Sequence, residues 1–448
     1  MVDFECKSKM LNSKSLKLAF QEKPMPTIPQ ASSLPNLSPP LNSNDISLAS
    51  SNACAAYDNY LRLPQLRSLW ASNDFPSWPN EPIIKPALQA LEITFRLLAT
   101  VVSDPRPYSN KREWGRRIES LATTQVQVIA MLLEDEERSP ETRGKAPVTD
   151  INDMINRSYS EGSLLPRLAT WQKSKDTAKR ILSTVECEMT RCTYTLGLGE
   201  ANFNGKKILR YDAVCRPSEL HSLETTPYDH VGNYENRTLH ATHQIVECWA
   251  RASRGLLERV RSIESGKFDE AASDCHALEK IWKVVTEVED ALVMMDPVDF
   301  LRLKRLLGIK SCGETAPFCF RSEGVVEMAK GCRDLREKVP EILGVEVDPK
   351  GGPGMMEAAM KVYGEKRAER VHVLQAMQAV ESAMKRFFFA YKQVVAVLMG
   401  SAEANGNGNG CCESLSQIFM EPTYFPSLDA AKTFLGYYWE NNEVVIPW

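Results

Sequence analysis

Three side chains in the second half of the chain are of types that could act together on one small molecule. His243 carries an imidazole that can hold or pass a proton, Arg321 a guanidinium fork that fits a carboxylate through two parallel bonds, and Tyr391 a phenol that can hydrogen-bond or, ionised, ligate haem iron. Each also has an ordinary reading. His243 falls near the start of an amphipathic run whose apolar residues Ile245, Trp249, Leu256, Val260 and Ile263 recur mostly at intervals of three and four. At a helix start, a bond to a neighbouring carbonyl accounts for an imidazole as well as a ligand does. Arg321 on its own would pair with Glu323 or Glu327 at the surface, and Tyr391 sits on an apolar seam where a hydrogen-bonded core phenol is the default.

Other chemistries lack their residues. His221, His230, His240 and His243 have no i,i+4 pairing, and the twelve cysteines include no C-x-x-C, so no metal site is expected. No Ser-His-Asp or Cys-His context for a nucleophile is present either, and no catalytic residue is assigned. Gly197-x-Gly199 lacks the third glycine and the preceding strand of a dinucleotide fingerprint. Cys411-Cys412 is the one exposed candidate for redox chemistry; the other thiols read as small buried hydrophobes in a reducing compartment. The basic cluster Lys111, Arg112, Arg116 and Arg117 reads as a solvated helix face.

The elements that would hold these residues are helical. Leu88, Leu91, Phe95, Leu98 and Val102 form one stripe and Trp114, Ile118, Leu121, Val128 and Leu132 another, broken by Asp104-Pro105-Arg106-Pro107 into an antiparallel pair. A helical pattern with Leu168, Trp171 and Ile181 follows a charged and polar connector running from Glu134 to about Ser160. A further helix runs through Leu278, Ile281, Trp282, Val285, Val288 and Leu292. Asp296 then caps a short helix with Pro297 at its first position and Gly308 as its stop. The longest seam is Val373, Met377, Val380, Met384, Phe387, Tyr391, Val394 and Leu398. Strand signals are few, chiefly Glu346-Val347 and Val444-Val445-Ile446. The fold class is therefore all-α: a disordered segment 1–52, an N-terminal helical domain 53–190 and a C-terminal helical domain 191–448, with a flexible Gly/Asn loop at 401–412.

Bulk properties exclude several classes. A composition 43% hydrophobic and 25% charged is ordinary for a globular protein. A formal net charge of -4 argues against nucleic-acid binding, and no stretch reaches the length and apolarity of a membrane helix. Residues 1–20 lack the apolar core of a secretory signal, and Val2 stands where myristoylation needs glycine.

Two resemblances add to this. Thr242-His243-Gln244, Asp296-Pro297-Val298-Asp299-Phe300-Leu301 and Phe320-Arg321 resemble segments of the tryptophan and indoleamine dioxygenase-like helical superfamily. That likeness implies a distal-side role for His243 and a substrate-carboxylate role for Arg321. At the position of that superfamily's proximal haem-ligating histidine stands Tyr391, and the Gly/Asn loop is unlike its ordered lid, so haem is not expected as a cofactor. The whole chain, from Ala56 to about Gly436, resembles the plant nematode-resistance-protein-like HSPRO family. The stretches that carry this resemblance are Tyr60–Pro64, Pro82–Glu92, Tyr194–Glu200 and Gln417–Asp429.

The HSPRO resemblance implies a cytoplasmic protein of plant basal resistance and stress responses that binds a regulatory βγ-type subunit of the SNF-related energy-sensing kinase complex. The expected function is binding and not catalysis, with protein as partner and neither nucleic acid nor membrane. The alternative is a haem-dependent indole-ring dioxygenase-like enzyme, or a haem-free sensor of a small indole ligand.

Overall fold

Ile46 lies within the segment expected to be disordered through residue 52, yet it is a core residue, 1% exposed. The Ala49 backbone N–H donates to the Phe320 carbonyl at 2.9 Å, so packing begins ahead of the expected boundary. The computed structural model describes residues 46, 48–49, 51–106, 110–138, 145–150, 160–201, 205–225, 234–262, 266–306, 318–345, 353–400 and 411–441. The remainder of the expected disordered segment, most of the Gly/Asn loop, the Gly308 stop and both expected strand signals lie outside the described residues.

Helix α1 (Ser51–Leu61) turns directly into α2 (Leu63–Ala71) through Arg62, whose φ of 55° is left-handed and whose Nη1 donates to the Ser222 carbonyl at 2.8 Å. The two expected stripes form α3 (Glu81–Ser103) and α4 (Lys111–Arg138), which pack on each other across the Asp104–Pro107 break. In that break Arg106 ties three carboxylates, Asp104 at 2.7 Å, Glu235 at 2.8 Å and Asp299 at 3.3 Å.

The charged and polar connector, which as sequence reads as a surface loop or a partly disordered link, is partly built into the fold. Helix α4 runs on to Arg138, and Val148–Thr149 is a strand, β1. It pairs antiparallel with β3 (Lys207–Leu209), whose other edge pairs in parallel with β2 (Tyr194–Thr195). Strands of two or three residues are too short to display an alternating pattern, so periodicity could not reveal them.

Next come α5 (Leu164–Thr170), with Ser163 as its N-cap, and α6 (Lys175–Glu188). Trp171, expected on a helical stripe, instead ends α5 and is 36% exposed. Two short helices, α7 (Tyr211–Cys215) and α8 (Pro217–His221), lead to α9 (Tyr234–Arg261) and α10 (Phe268–Ala291). Helix α11 (Pro297–Leu306) starts as expected, with the Asp299 N–H bonded to the Asp296 carboxylate at 2.9 Å. The chain continues through α12 (Phe318–Arg321), α13 (Glu323–Asp334), α14 (Val339–Leu343), α15 (Pro353–Gly364), α16 (Ala368–Met399), α17 (Cys411–Met420) and α18 (Pro426–Asn441).

Helix dominates, as the stripes require. The most extensive packing joins α10 to α16 and α3 to α9, and α9 and α4 both lie on α10. Gly255 on α9 permits the α3 approach: a Cβ there would sit 2.6 Å from Ile83 Cγ1. A polar thread runs through the apolar interior, from the Trp249 indole N–H to Gln125 at 3.0 Å and from Gln125 to Thr94 at 2.8 Å, linking α9, α4 and α3. Residues from Ile46 onward form one compact unit, and the boundary expected near residue 190 falls inside it. No helix among the described residues is long and apolar enough to cross a membrane.

Candidate functional site

The apolar stripe of α9 is continuous enough to bury most of the polar residues beside it between Glu235 and Ser253. His243 is therefore in the third turn of a buried helix and not at a helix start. Its Nδ1 bonds the Leu239 carbonyl one turn back at 3.0 Å, and its ring meets Tyr57 edge-on, with centroids 6.0 Å apart. Burial holds the imidazole down at about 4, only partly offset by the Leu239 carbonyl, so the ring is neutral at ordinary pH.

One turn further along, Glu247 accepts from the Tyr57 hydroxyl at 3.0 Å and from the Ser322 hydroxyl. Its burial pushes the carboxyl up to about 7, against the lowering effect of those two bonds. Glu289 on α10 is buried too, raised to about 8 by desolvation and then by the charge of Asp290. Its Oε2 has no hydrogen-bond partner among the described residues. Tyr391 on α16 is 4% exposed and packs on Phe387 at 6.0 Å, as expected for a core tyrosine. Tyr57 is the hub of the group. Desolvation raises its phenol, and after it Glu247, Glu289 and Tyr391 all act in the same direction.

The sequence-derived trio is thus only partly assembled. His243 packs against Tyr57, a residue that no motif singled out, and Tyr391 acts on the same phenol through its charge. Arg321 ends the short helix α12 and is 6% exposed, so a surface pairing does not describe it. The acids expected to hold it are engaged elsewhere, Glu323 with Arg67 at 3.7 Å and Glu327 with Arg254 at 3.8 Å. Arg321 meets the cluster through its neighbour Ser322, which also caps α13 by accepting from the Val325 N–H at 3.0 Å.

A second polar centre, also unforeseen, lies under α3. The buried Glu92 carboxylate accepts from Ser163 Oγ at 2.7 Å, the Leu164 N–H at 2.8 Å and the Tyr211 hydroxyl at 3.0 Å, and lies 2.7 Å from His221 Nε2. A carboxylate so fully engaged clamps chain segments together and has little capacity left for chemistry. The Gly197-x-Gly199 loop is likewise self-contained. Both glycines have positive φ, and the N–H groups of Gly197 and Leu198 donate to Glu200 at 2.7 and 2.5 Å, which leaves those donors no phosphate to cradle. Among the described residues no group of His, Cys, Asp or Glu could hold a metal ion. The side chains of Cys411 and Cys412 lie outside the described residues.

A family model described as the Hs1pro-1 N-terminus matches residues 1–186, and one described as the Hs1pro-1 protein C-terminus matches residues 189–441. The chain is 54% identical over 448 residues to Nematode resistance protein-like HSPRO2 of Arabidopsis thaliana, an alignment covering 98% of this chain and 100% of that one. It is 53% identical over 420 residues to Nematode resistance protein-like HSPRO1 of the same plant, covering 92% of this chain and 95% of that one. No solved structure matches the chain.

Proposed function

The chain belongs to the Hs1pro-1 family of nematode-resistance-like proteins, and on that premise we propose a non-catalytic regulatory role in plant basal defence and stress signalling. The protein acts in the cytoplasm by binding a regulatory βγ-type subunit of the SNF-related energy-sensing kinase complex. What supports the non-catalytic part is the setting of the would-be reactive groups. Burial keeps the His243 imidazole neutral, with its Nδ1 on the Leu239 carbonyl, and Tyr391, which the dioxygenase resemblance would place at the axial position, is a core phenol packed on Phe387. The reading therefore takes no haem as cofactor.

A two-component pull-down with the purified kinase subunit tests the partner, and failure to capture it removes that claim. Absorption spectroscopy of protein expressed with haem precursor tests the chemistry. No Soret band is expected; one that disappears in Tyr391→Phe would establish an iron site and overturn the non-catalytic reading.

A second reading, a haem-free sensor of a small indole, is favoured by one observation: the Glu289 carboxyl is buried with an oxygen that has no hydrogen-bond partner among the described residues. Calorimetry with tryptophan and auxin tests it. Heat abolished by Arg321→Ala would support the sensor, and no heat with either compound would eliminate it.

A further inference from the structure

Helices α2, α9 and α13 wall an open groove of about 660 Å³ that reaches down to Glu247. Trp70, Leu257 and Met328 make its floor apolar, and its rim is charged. The rim carboxylates are matched one after another: Glu323 faces Arg67 at 3.7 Å, Glu258 and Glu327 face Arg254 at 3.1 and 3.8 Å, and Asp334 faces Arg261 at 3.0 Å. Two cations are left over. Among the described residues neither Arg251 nor Lys330 has a carboxylate within ion-pair distance. Arg251 is also half-buried, and burial together with the neighbouring Arg254 charge depresses its pKa.

We propose that this groove docks an acidic segment of a partner protein, with carboxylates on Arg251 and Lys330 and an apolar side chain laid on Trp70. The inference rests on the reading above that the chain works by binding, and it adds where and by what chemistry. An apolar floor inside a polar rim, with tryptophan and arginine available as anchors, is the anatomy of a protein-recognition surface. The α9 wall from Glu247 to Arg261 is about 20 Å long at the helical rise, which suits a peptide segment better than a compact metabolite.

Selection of short random peptides against the full-length protein tests the proposal, followed by titration of the labelled winners. The expected winners combine Asp or Glu with Leu, Phe or Trp and bind more weakly as salt rises. They should lose about tenfold or more in affinity in the double variant Arg251→Glu, Lys330→Glu. Arg251 is half-buried and Lys330 exposed, so Arg251→Gln with Lys330→Gln, checked by circular dichroism, serves as a gentler pair with the same direction of effect. Winners that are basic or wholly apolar, the absence of any winner, or undiminished binding to the double variant would overturn the proposal. The kinase subunit separates the two claims. Equal capture by wild type and double variant sinks the groove as its docking site and leaves the binding reading standing, whereas no capture by wild type sinks that reading and leaves the peptides to decide the groove.

Discussion

Glu289 and Glu247 are two carboxyls whose burial favours the protonated form, and this sets how the molecule responds to alkali. Both lie above the ordinary value of 4.5 for a glutamate, at about 8 and about 7. A raised folded-state value means that stability is complete below the ordinary pKa and is lost as pH climbs through the folded one. Urea denaturation should therefore show lower stability at pH 8.5 than at pH 5.5. Glu289→Gln should flatten that dependence, gaining on the order of 3 kcal/mol at the higher pH. An unchanged slope in the variant would mean that Glu289 does not carry the effect. At this scale the sequence was half legible. The carbonyl-bonded reading of His243 and the core reading of Tyr391 both describe what is found, because each depends on neighbours a few residues away. Tyr57 escaped because its hydroxyl partner is 190 residues distant, and spacing carries no trace of such a pair.

Helix stripes were the most legible feature, since α4, α10 and α16 each bury one face of a regular spiral, whereas α3 is buried on nearly every side. Close approaches between helices are less visible, and Gly255 shows what they require. Gly255→Ala would gain about 1 kcal/mol in helix propensity but force its new methyl onto Ile83, an overpacking of about 1–3 kcal/mol. The net expectation is a loss of stability in denaturant melts, and that loss should shrink in an Ile83→Ala background. Equal losses in both backgrounds would show that the two residues do not compete for space. The stretches that resemble the HSPRO family become intelligible here as junctions. Glu381 on α16 receives the Tyr424 N–H at 2.9 Å and the Thr423 hydroxyl at 3.1 Å, while Lys385 holds the carbonyls of Glu421 and Pro422 at 2.9 and 3.1 Å. That segment, between α17 and α18, is held to α16 mainly through its backbone groups, a tie that leaves no local period.

For the whole molecule, the sequence reading divides the chain at residue 190, and the two family models match residues 1–186 and 189–441. Yet α3 and α4 from one side lie against α9 and α10 from the other, and the Trp249–Gln125–Thr94 thread crosses between them. Local composition reports where the chain changes character, whereas shared core surface is a property of pairs of distant segments. Thermal unfolding followed by far-UV circular dichroism and by tryptophan fluorescence should accordingly give one coincident transition. Two separated transitions would mean that the halves melt independently. Arg106 adds a different kind of joint at one end of this assembly. A single guanidinium, 21% exposed, gathers acids from the end of α3 and the beginnings of α9 and α11. Such a rivet can open and close without wetting any grease, so dissolved ions can slacken that rim of the bundle while its dry centre stays taut.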